Sequence, residues 1–353
     1  MELTKCKLGE LITQRREKND GSDLPICGVS KDGLIPPKQK DADTSIYNVF
    51  YRDDFIFNPA RMELNSIAIN DMYDRAICSS LYEVFYVHRT DLLLPHYLEL
   101  IIRQKWFTRY CKFLGQGSAR EYCRFGNISE IEIEFPPIEE QQKIVEYNTA
   151  IENRIALKQK INDNLEAQAE AIYNEMIANN STNSTMSTLG EISTIKTGKL
   201  NSEAAVTNGI YPFFTCSQET YRTNTFSFDQ EAVLLAGNNA SAIYPLKIYC
   251  GKFDVYQRTY VISSNNRFVS NKQLYFVLKQ QLNEFKGISS GTTTKFLTMK
   301  ILTPIPVVIA PEDISTSFIN ITNKMFETIF QNQREIEHLH ELQMIVLGEL
   351  SRN

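Results

Sequence analysis

Two stretches of the chain carry apolar residues in alternating steps of four and three. The first runs Ile144, Asn148, Ile151, Ile155, Lys158, Asn162, Leu165, Ala169, Ile172, Met176. The second runs Phe318, Thr322, Met325, Ile329, Asn332, Ile336, Leu339, Gln343, Val346, Leu350. Seven of the ten positions are apolar in each, which is a coiled-coil seam with polar interruptions. Each seam covers 33 residues and predicts a helix about 50 Å long at ~1.5 Å per residue. Proline marks both starts, with Pro137 seven residues before Ile144 and Pro311 seven before Phe318. In a first helical turn the missing N–H has no partner to lose. Glu139, Glu140, Glu312 and Asp313 then place negative charge at the positive end of each helix dipole. Ile144, Ile151, Ile155, Leu165, Ile172, Phe318, Met325, Ile329, Ile336 and Leu339 are therefore expected at a helix-pair or subunit interface. The polar positions Lys158, Asn162, Asn332 and Gln343 either fix register or face a third helix from a partner.

The agreement between the seams extends to the rest of the chain. Gly117 and Gly291 are 174 residues apart, as are Pro137 and Pro311, and "KLGELIT" at 7–13 is echoed by "TLGEIST" at 188–194. The first half mixes β-type runs ("SIYNVFY", "DFIFNP", "SLYEVFYVH") with one predicted helix over 95–114. The second half has "GIYPFFTC", "EAVLLAG", "SAIYPLKIYC" and "VYQRTYVIS", then a helix, "NKQLYFVLKQQLNEF". Each half ends in a Gly/Ser/Thr loop and a closing strand before its proline. The expectation is an α+β protein with a pseudo-twofold internal repeat. Its segments are a globular domain at 1–136, a helix at 137–178, a linker at 179–187, a second domain at 188–308 and a second helix at 309–353.

Composition changes this picture in two places. A length of 353 residues exceeds one ordinary core, and 42% hydrophobic content with 11% aromatics suits a folded chain. Seven cysteines form no CxxC pair, which reads as reduced thiols rather than disulfides or a zinc site. No apolar run of 18 residues occurs, and the expected location is the cytoplasm, with no membrane partner. The net charge of −5 is unevenly spread. Residues 1–136 hold 18 basic against 20 acidic groups, and 137–183 hold 4 against 8. Residues 184–308 hold 12 against 7, and 309–353 hold 3 against 7. The acid lies mainly in the helices, and the second globular domain is basic.

Catalytic constellations are weak. "FIFNPA" has Ala60 where an adenine methyltransferase site has a second proline, and no glycine-rich cofactor loop accompanies it. Asp254 with Glu284 and Lys286 is only loosely like a nuclease D…ExK. His338 and His340 lie two apart on a predicted helix and do not share a face. Basic residues cluster at 103–124 (Arg103, Lys105, Arg109, Lys112, Arg120, Arg124) and recur through the second half as Lys196, Lys199, Lys247, Lys252, Arg258, Lys295 and Lys300. Phosphate contact needs such cations, whereas base reading needs Arg, Asn, Gln, Ser and Thr at a groove edge. The chain reads as a binder.

Taken in order, "EIEFPPIEEQQKIV" (132–145), "GKFDVYQRTYVI" (251–262), "IYPFFTCS" (210–217), "FIFNPARM" (55–62) and the paired "LGE" starts resemble the specificity subunits of type I restriction–modification systems. The resemblance covers nearly the whole chain. It implies two target-recognition domains, each reading one half of a split double-stranded DNA target, separated by two antiparallel coiled-coil helices. It also implies docking of modification subunits and association with restriction subunits. The chain itself would hold no cofactor and be no enzyme. S-adenosylmethionine, ATP and Mg would belong to those partners, which methylate adenine and cleave DNA. Carried onto this sequence, DNA contacts are expected at Lys31, Asn58, Arg61, Gln116, Ser118 and Arg120 in the first domain. In the second they are expected at Lys199, Thr215, Ser217, Asn238, Asn239, Gln257 and Arg258. Asn58 and Arg61 read equally as structural, and "YQRTY" as a buried scaffold strand. The alternatives are a coiled-coil adaptor that binds only protein, or a methyltransferase or nuclease in its own right.

Overall fold

The computed structural model describes residues 3–37, 43–114, 122–180, 182–239, 241–288 and 295–349. The chain divides into two compact units, one of Met1–Ile155 with Glu337–Asn353 and one of Ala156–Ile336. Both long helices are present, as Ile138–Asn179 and Glu312–Glu349. Each expected proline sits one place before its helix. The Pro137 carbonyl accepts from Gln141 N at 3.1 Å, and that of Pro311 accepts from Ser315 N at 2.8 Å.

The repeat is visible in how each unit is closed. Strand Thr4–Lys7 pairs antiparallel with Glu132–Phe135, and Thr185–Thr188 pairs antiparallel with Pro306–Ile309. Both "LGE" segments follow as a helical turn whose glutamate returns to the chain. Lys7 N donates to Glu10 Oε1 at 3.2 Å, and Thr188 N to Glu191 Oε2 at 3.0 Å, a capping-box contact. Leu8 N donates to Ile131 O and Leu189 N to Ile305 O, each at 2.8 Å. The glycine of each segment is held against another stretch of the same chain. A Cβ on Gly9 would lie 3.0 Å from Ser129, and one on Gly190 would lie 2.9 Å from Thr303. Buried Gln141 and Ser315 stand at matching helix positions, donating to Pro136 O at 2.8 Å and to Ala310 O at 3.0 Å.

The second unit holds one six-stranded sheet. Its order is Ser193–Thr197, Thr259–Ser264, Phe228–Ala236, Leu246–Val255, Tyr211–Phe214, Thr220–Thr223. The first unit repeats that order in two four-stranded sheets. One is Ile12–Arg15, Glu83–Val87, Phe55–Phe57, Ile67–Ile69, and the other is Gly33–Ile35, Ile26–Ser30, Arg75–Cys78, Asn48–Tyr51. The single strand Leu246–Val255 is thus matched by two strands, Ile67–Ile69 and Arg75–Cys78. Between these two, fully buried Asn70 folds a turn onto its own side chain. It accepts from Met72 N at 3.2 Å and Tyr73 N at 3.0 Å and donates to Tyr73 O at 2.7 Å. In the second unit the strand continues through Gly251 at φ +139°, a conformation open to glycine.

The predicted helix over 95–114 is two helices, Pro95–Ile102 and Lys105–Leu114. Gln104 Nε2 donates to Leu100 O at 3.2 Å, while its own N–H goes to Ile101 O at 3.0 Å. The side chain thereby takes the carbonyl that the next helical turn needs. "VYQRTYVIS" also spans a turn, at Tyr256–Arg258, between strands ending at Val255 and beginning at Thr259. Aromatic burial anchors both cores. Phe55 stacks on Phe85 at 4.9 Å in the first, and Tyr173 on Phe276 at 5.6 Å in the second.

The two helices run antiparallel. In the second unit Lys158 bonds Asn332 at 2.9 Å and Glu335 at 2.7 Å, Asn332 donates to Asn162 at 2.8 Å, and Tyr173 meets Phe318 at 6.2 Å. In the first, Gln343 donates to Asn148 at 3.0 Å and Glu152 at 3.2 Å. The polar seam positions therefore find one another across the pair, which fixes register because a shifted pair would leave them buried and unpaired. Ile151, Ile155, Phe318 and Ile329 are buried, and Ile144, Leu165, Ile172, Met325, Ile336 and Leu339 are half-buried. Phe326 and Phe330, off the predicted seam, are buried as well, because the helix also covers the second unit's core.

Candidate nucleic-acid interface

Each unit has a cleft of about 600 Å³ beside its sheet, and the sheet order puts the same three elements around both. In the first unit the cleft measures about 610 Å³. One wall is Ile26–Ser30 and the turn after it, which carries Lys31. A second follows strand Phe55–Phe57, with Asn58, Arg61, Leu64 and Ser66. The third is Ser79, Leu81 and Tyr82, just before strand Glu83–Val87. In the second unit the cleft measures about 600 Å³. Its walls are Thr215, Cys216 and Ser217 after strand Tyr211–Phe214, Asn238 and Asn239 after strand Phe228–Ala236, and Tyr256 before strand Thr259–Ser264. Ser202, Ala205 and Tyr221 complete it.

Three of the residues selected from sequence in the first domain, Lys31, Asn58 and Arg61, meet in one cleft. Gln116, Ser118 and Arg120 lie outside the described residues. Lys31 and Arg61 are exposed. Asn58 Oδ1 accepts from Ala60 N at 3.1 Å and so caps the turn Pro59–Leu64 that presents Arg61. The same turn packs against helix Lys105–Leu114, whose Lys105, Arg109 and Lys112 are exposed. Other cations of that stretch are engaged, Arg103 by Glu99 and Arg124 by Glu83 at 3.4 Å.

In the second domain Thr215, Ser217, Asn238 and Asn239 line the cleft, while Lys199, Gln257 and Arg258 are exposed and outside its lining, the last two directly after Tyr256. Gln257 N donates to Leu200 O at 2.9 Å, Cys216 Sγ to Arg258 O at 3.5 Å, and Gly237 N to Arg258 O at 2.8 Å. These bonds gather four loops around one opening. Gly237 is required there, since a Cβ would stand 2.4 Å from Arg258 O. The Arg258 guanidinium lies over the Phe296 ring at 5.1 Å. Thr215 Oγ1 and Ser217 Oγ accept from Ser217 N and Glu219 N at 3.1 and 3.2 Å, leaving their O–H donors for a ligand. Lys247 differs from a phosphate-seeking cation. Burial lowers its pKa, and its Nζ is spent on Gln218 O and Thr220 Oγ1 at 2.7 and 2.8 Å.

Asp254, the residue loosely like a nuclease carboxylate, is fully buried and accepts from Thr225 and Ser227 at 3.0 and 3.1 Å. Phe285, between Glu284 and Lys286, is buried in the core. That is a scaffold arrangement.

The chain matches the family model described as "Type I restriction modification DNA specificity domain" twice, over residues 6–167 and 182–341. The chain belongs to that family. Among relatives of this specificity family, the type I restriction enzyme EcoDI specificity subunit of Escherichia coli is 31% identical over 152 residues, 43% of this chain and 33% of that protein. This match spans about a third of the relative's length. The MjaIX specificity subunit of Methanocaldococcus jannaschii is 23% identical over 298 residues, 74% of this chain and 69% of its own. In fold, the type I restriction–modification S subunit from M. genitalium superposes with a TM-score of 0.63 at 14% identity, covering 99% of this chain and 96% of that one.

Sequence reasoning missed Tyr47, Leu81 and Tyr82 in the first cleft and Ser202, Tyr221 and Tyr256 in the second. Tyr256 lies within "VYQRTYVIS", whose strand-like pattern hides the turn at Tyr256–Arg258. Tyr221 and Ser202 come from separate segments, with no local signal to join them. Among the described residues, no helix is long and apolar enough to cross a membrane.

Proposed function

We propose that this chain is the non-catalytic, sequence-reading subunit of a cytoplasmic type I restriction–modification assembly. Each domain reads one half of a split double-stranded DNA target through its cleft and the loops around it. The observation that carries this reading is the pair of clefts built from the same three elements of a repeated sheet, in a chain of the specificity family. A duplicated reader fits a target in two parts, and differing walls fit two different half-sites. Lys31, Arg61, Lys105, Arg109 and Lys112 on the first unit, and Lys199 and Arg258 on the second, supply phosphate contacts. Asn58, Thr215, Ser217, Asn238, Asn239 and Gln257 supply or position uncharged donors and acceptors for base edges. Gln116, Ser118 and Arg120 belong to the same proposal for the first domain.

The helix pair is the docking site for modification subunits, with restriction subunits joining the assembly. In the second unit, Leu157 and Ile161 are exposed one helical turn apart, at 59% and 38%, an apolar pair suited to a protein partner. Methyl transfer and cleavage, with S-adenosylmethionine, ATP and Mg, belong to those subunits. The test is to express the chain with its modification subunit and map methylated adenines on random DNA. A split motif that disappears when the chain is omitted is the expected result. Methylation without a preferred sequence would overturn the reading in favour of an adaptor.

A further inference from the structure

The second cleft contains a side chain without its partner. Asn238 lines the opening, yet its Oδ1 is shielded from solvent and has no hydrogen-bond partner among the described residues. An acceptor left in that state opposes folding, and native proteins satisfy nearly all such atoms. The backbone around it is firmly placed. Asn238 lies opposite Phe296 in an antiparallel pair, Leu297 N donates to Gly237 O at 2.9 Å, and Tyr260 OH donates to Leu297 O at 2.8 Å. Its neighbour Asn239 is already committed, accepting from Ser241 N at 2.8 Å and Ile243 N at 3.4 Å. Asn238 is thus a positioned amide whose carbonyl makes no hydrogen bond among the described residues.

The chemistry of the walls narrows what it serves. Every described residue lining this cleft is uncharged, with Thr, Ser, Tyr, Cys, Asn and Ala side chains, and the cations Lys199 and Arg258 are not among them. An uncharged polar cleft suits a base edge better than a phosphate. A primary amide carries a carbonyl acceptor and an NH2 donor side by side in one plane, and a turn about its last side-chain torsion would bring the shielded oxygen to the opening beside the nitrogen. That pair matches adenine, which offers the N7 acceptor and the N6 donor together. Guanine's O6 and N7 need two donors, and cytosine's N4 needs an acceptor alone.

We propose that Asn238 reads an adenine in the half-site held by the second domain. This rests on the DNA-reading function above. The test uses the full chain with its modification subunit, wild type and as N238D and N238S, with methylated motifs mapped on random DNA. Asp keeps the shape of Asn but offers acceptors only. Ser keeps one small neutral group and cannot make the paired contact. Both variants are expected to lose adenine preference at one position of one half-site, with methylation of the original sequence falling roughly ten- to hundredfold. In N238D the preference moves toward cytosine. The other half-site stays unchanged. An unaltered motif in both variants, or a loss spread evenly over the two halves, overturns the assignment. A wild-type complex with no preferred sequence would instead sink the function on which it rests.

Discussion

His96 illustrates how single residues of the first unit set its response to pH. It opens the helix Pro95–Ile102, with Nδ1 3.7 Å from Glu99 Oε2 and Nε2 3.7 Å from Asp53 Oδ1. The Glu99 contact holds the imidazole pKa above its usual 6.5. Burial alone would raise the Glu99 carboxyl, but His96 and Arg103 hold it below its ordinary value, so it is ionised throughout the relevant range. The stabilisation from a raised histidine is fully present below its unfolded pKa and fades as pH rises through the folded one. The chain is therefore expected to gain stability as pH falls from 8 to about 6. The gain should be under about 1 kcal/mol, because the ring is partly exposed and solvent screens the pair. In His96→Gln that pH-dependent part should vanish in urea denaturation at the two pH values. An unchanged pH dependence would assign it to other groups.

At the scale of elements, the helix pair is the part on which most depends. Ile151 and Ile155 are 8% and 7% exposed on the first long helix. Replacing both with Asp buries two unpaired carboxylates, which costs several kcal/mol on the scale of broken buried pairs. The expected outcome is loss of helical signal in circular dichroism, or loss of co-purification with the modification subunit. Normal folding with normal methylation in that variant would remove the scaffold role. The polar links Lys158–Asn332–Asn162 are a separate matter. They contribute to register more than to stability, since apolar packing at the same positions holds a helix pair as well and lets it slide.

The molecule as a whole is a duplicated design in which the same order of strands serves two differently lined clefts. The first has Lys31 and Arg61 with Leu64 and Leu81 at 60% and 79% exposure, whereas the described residues lining the second are uncharged. If each domain reads independently, exchanging residues 1–136 for the corresponding domain of another family member should replace one half of the methylation motif and leave the other intact. Methylome sequencing decides this directly. A change in both halves would mean that the two domains are not separate readers.

The sequence by itself determined the features with a local or periodic cause. The four-three spacing set both helices, the prolines and following acids marked their starts, and the 174-residue offset announced the repeat. It also marked the segments from which the clefts are built, because Asn58, Thr215, Ser217 and Asn238 follow strands whose apolar runs were plain. Only the tertiary structure decided what depends on residues far apart in the chain. Gln104 split a helix that its apolar pattern left continuous, and Asn70 folded the turn between Ile67–Ile69 and Arg75–Cys78. Phe326 and Phe330 were buried by a domain core as well as by a partner helix. Asp254 and Lys247, both candidates for chemistry by residue type, were spent on holding loops. The Asn238 carbonyl, unpaired among the described residues, is the strongest case, since an atom's lack of a partner is fixed by everything folded around it. Spacing encodes which face of an element is apolar, but hydrogen-bond satisfaction is settled only when distant segments meet.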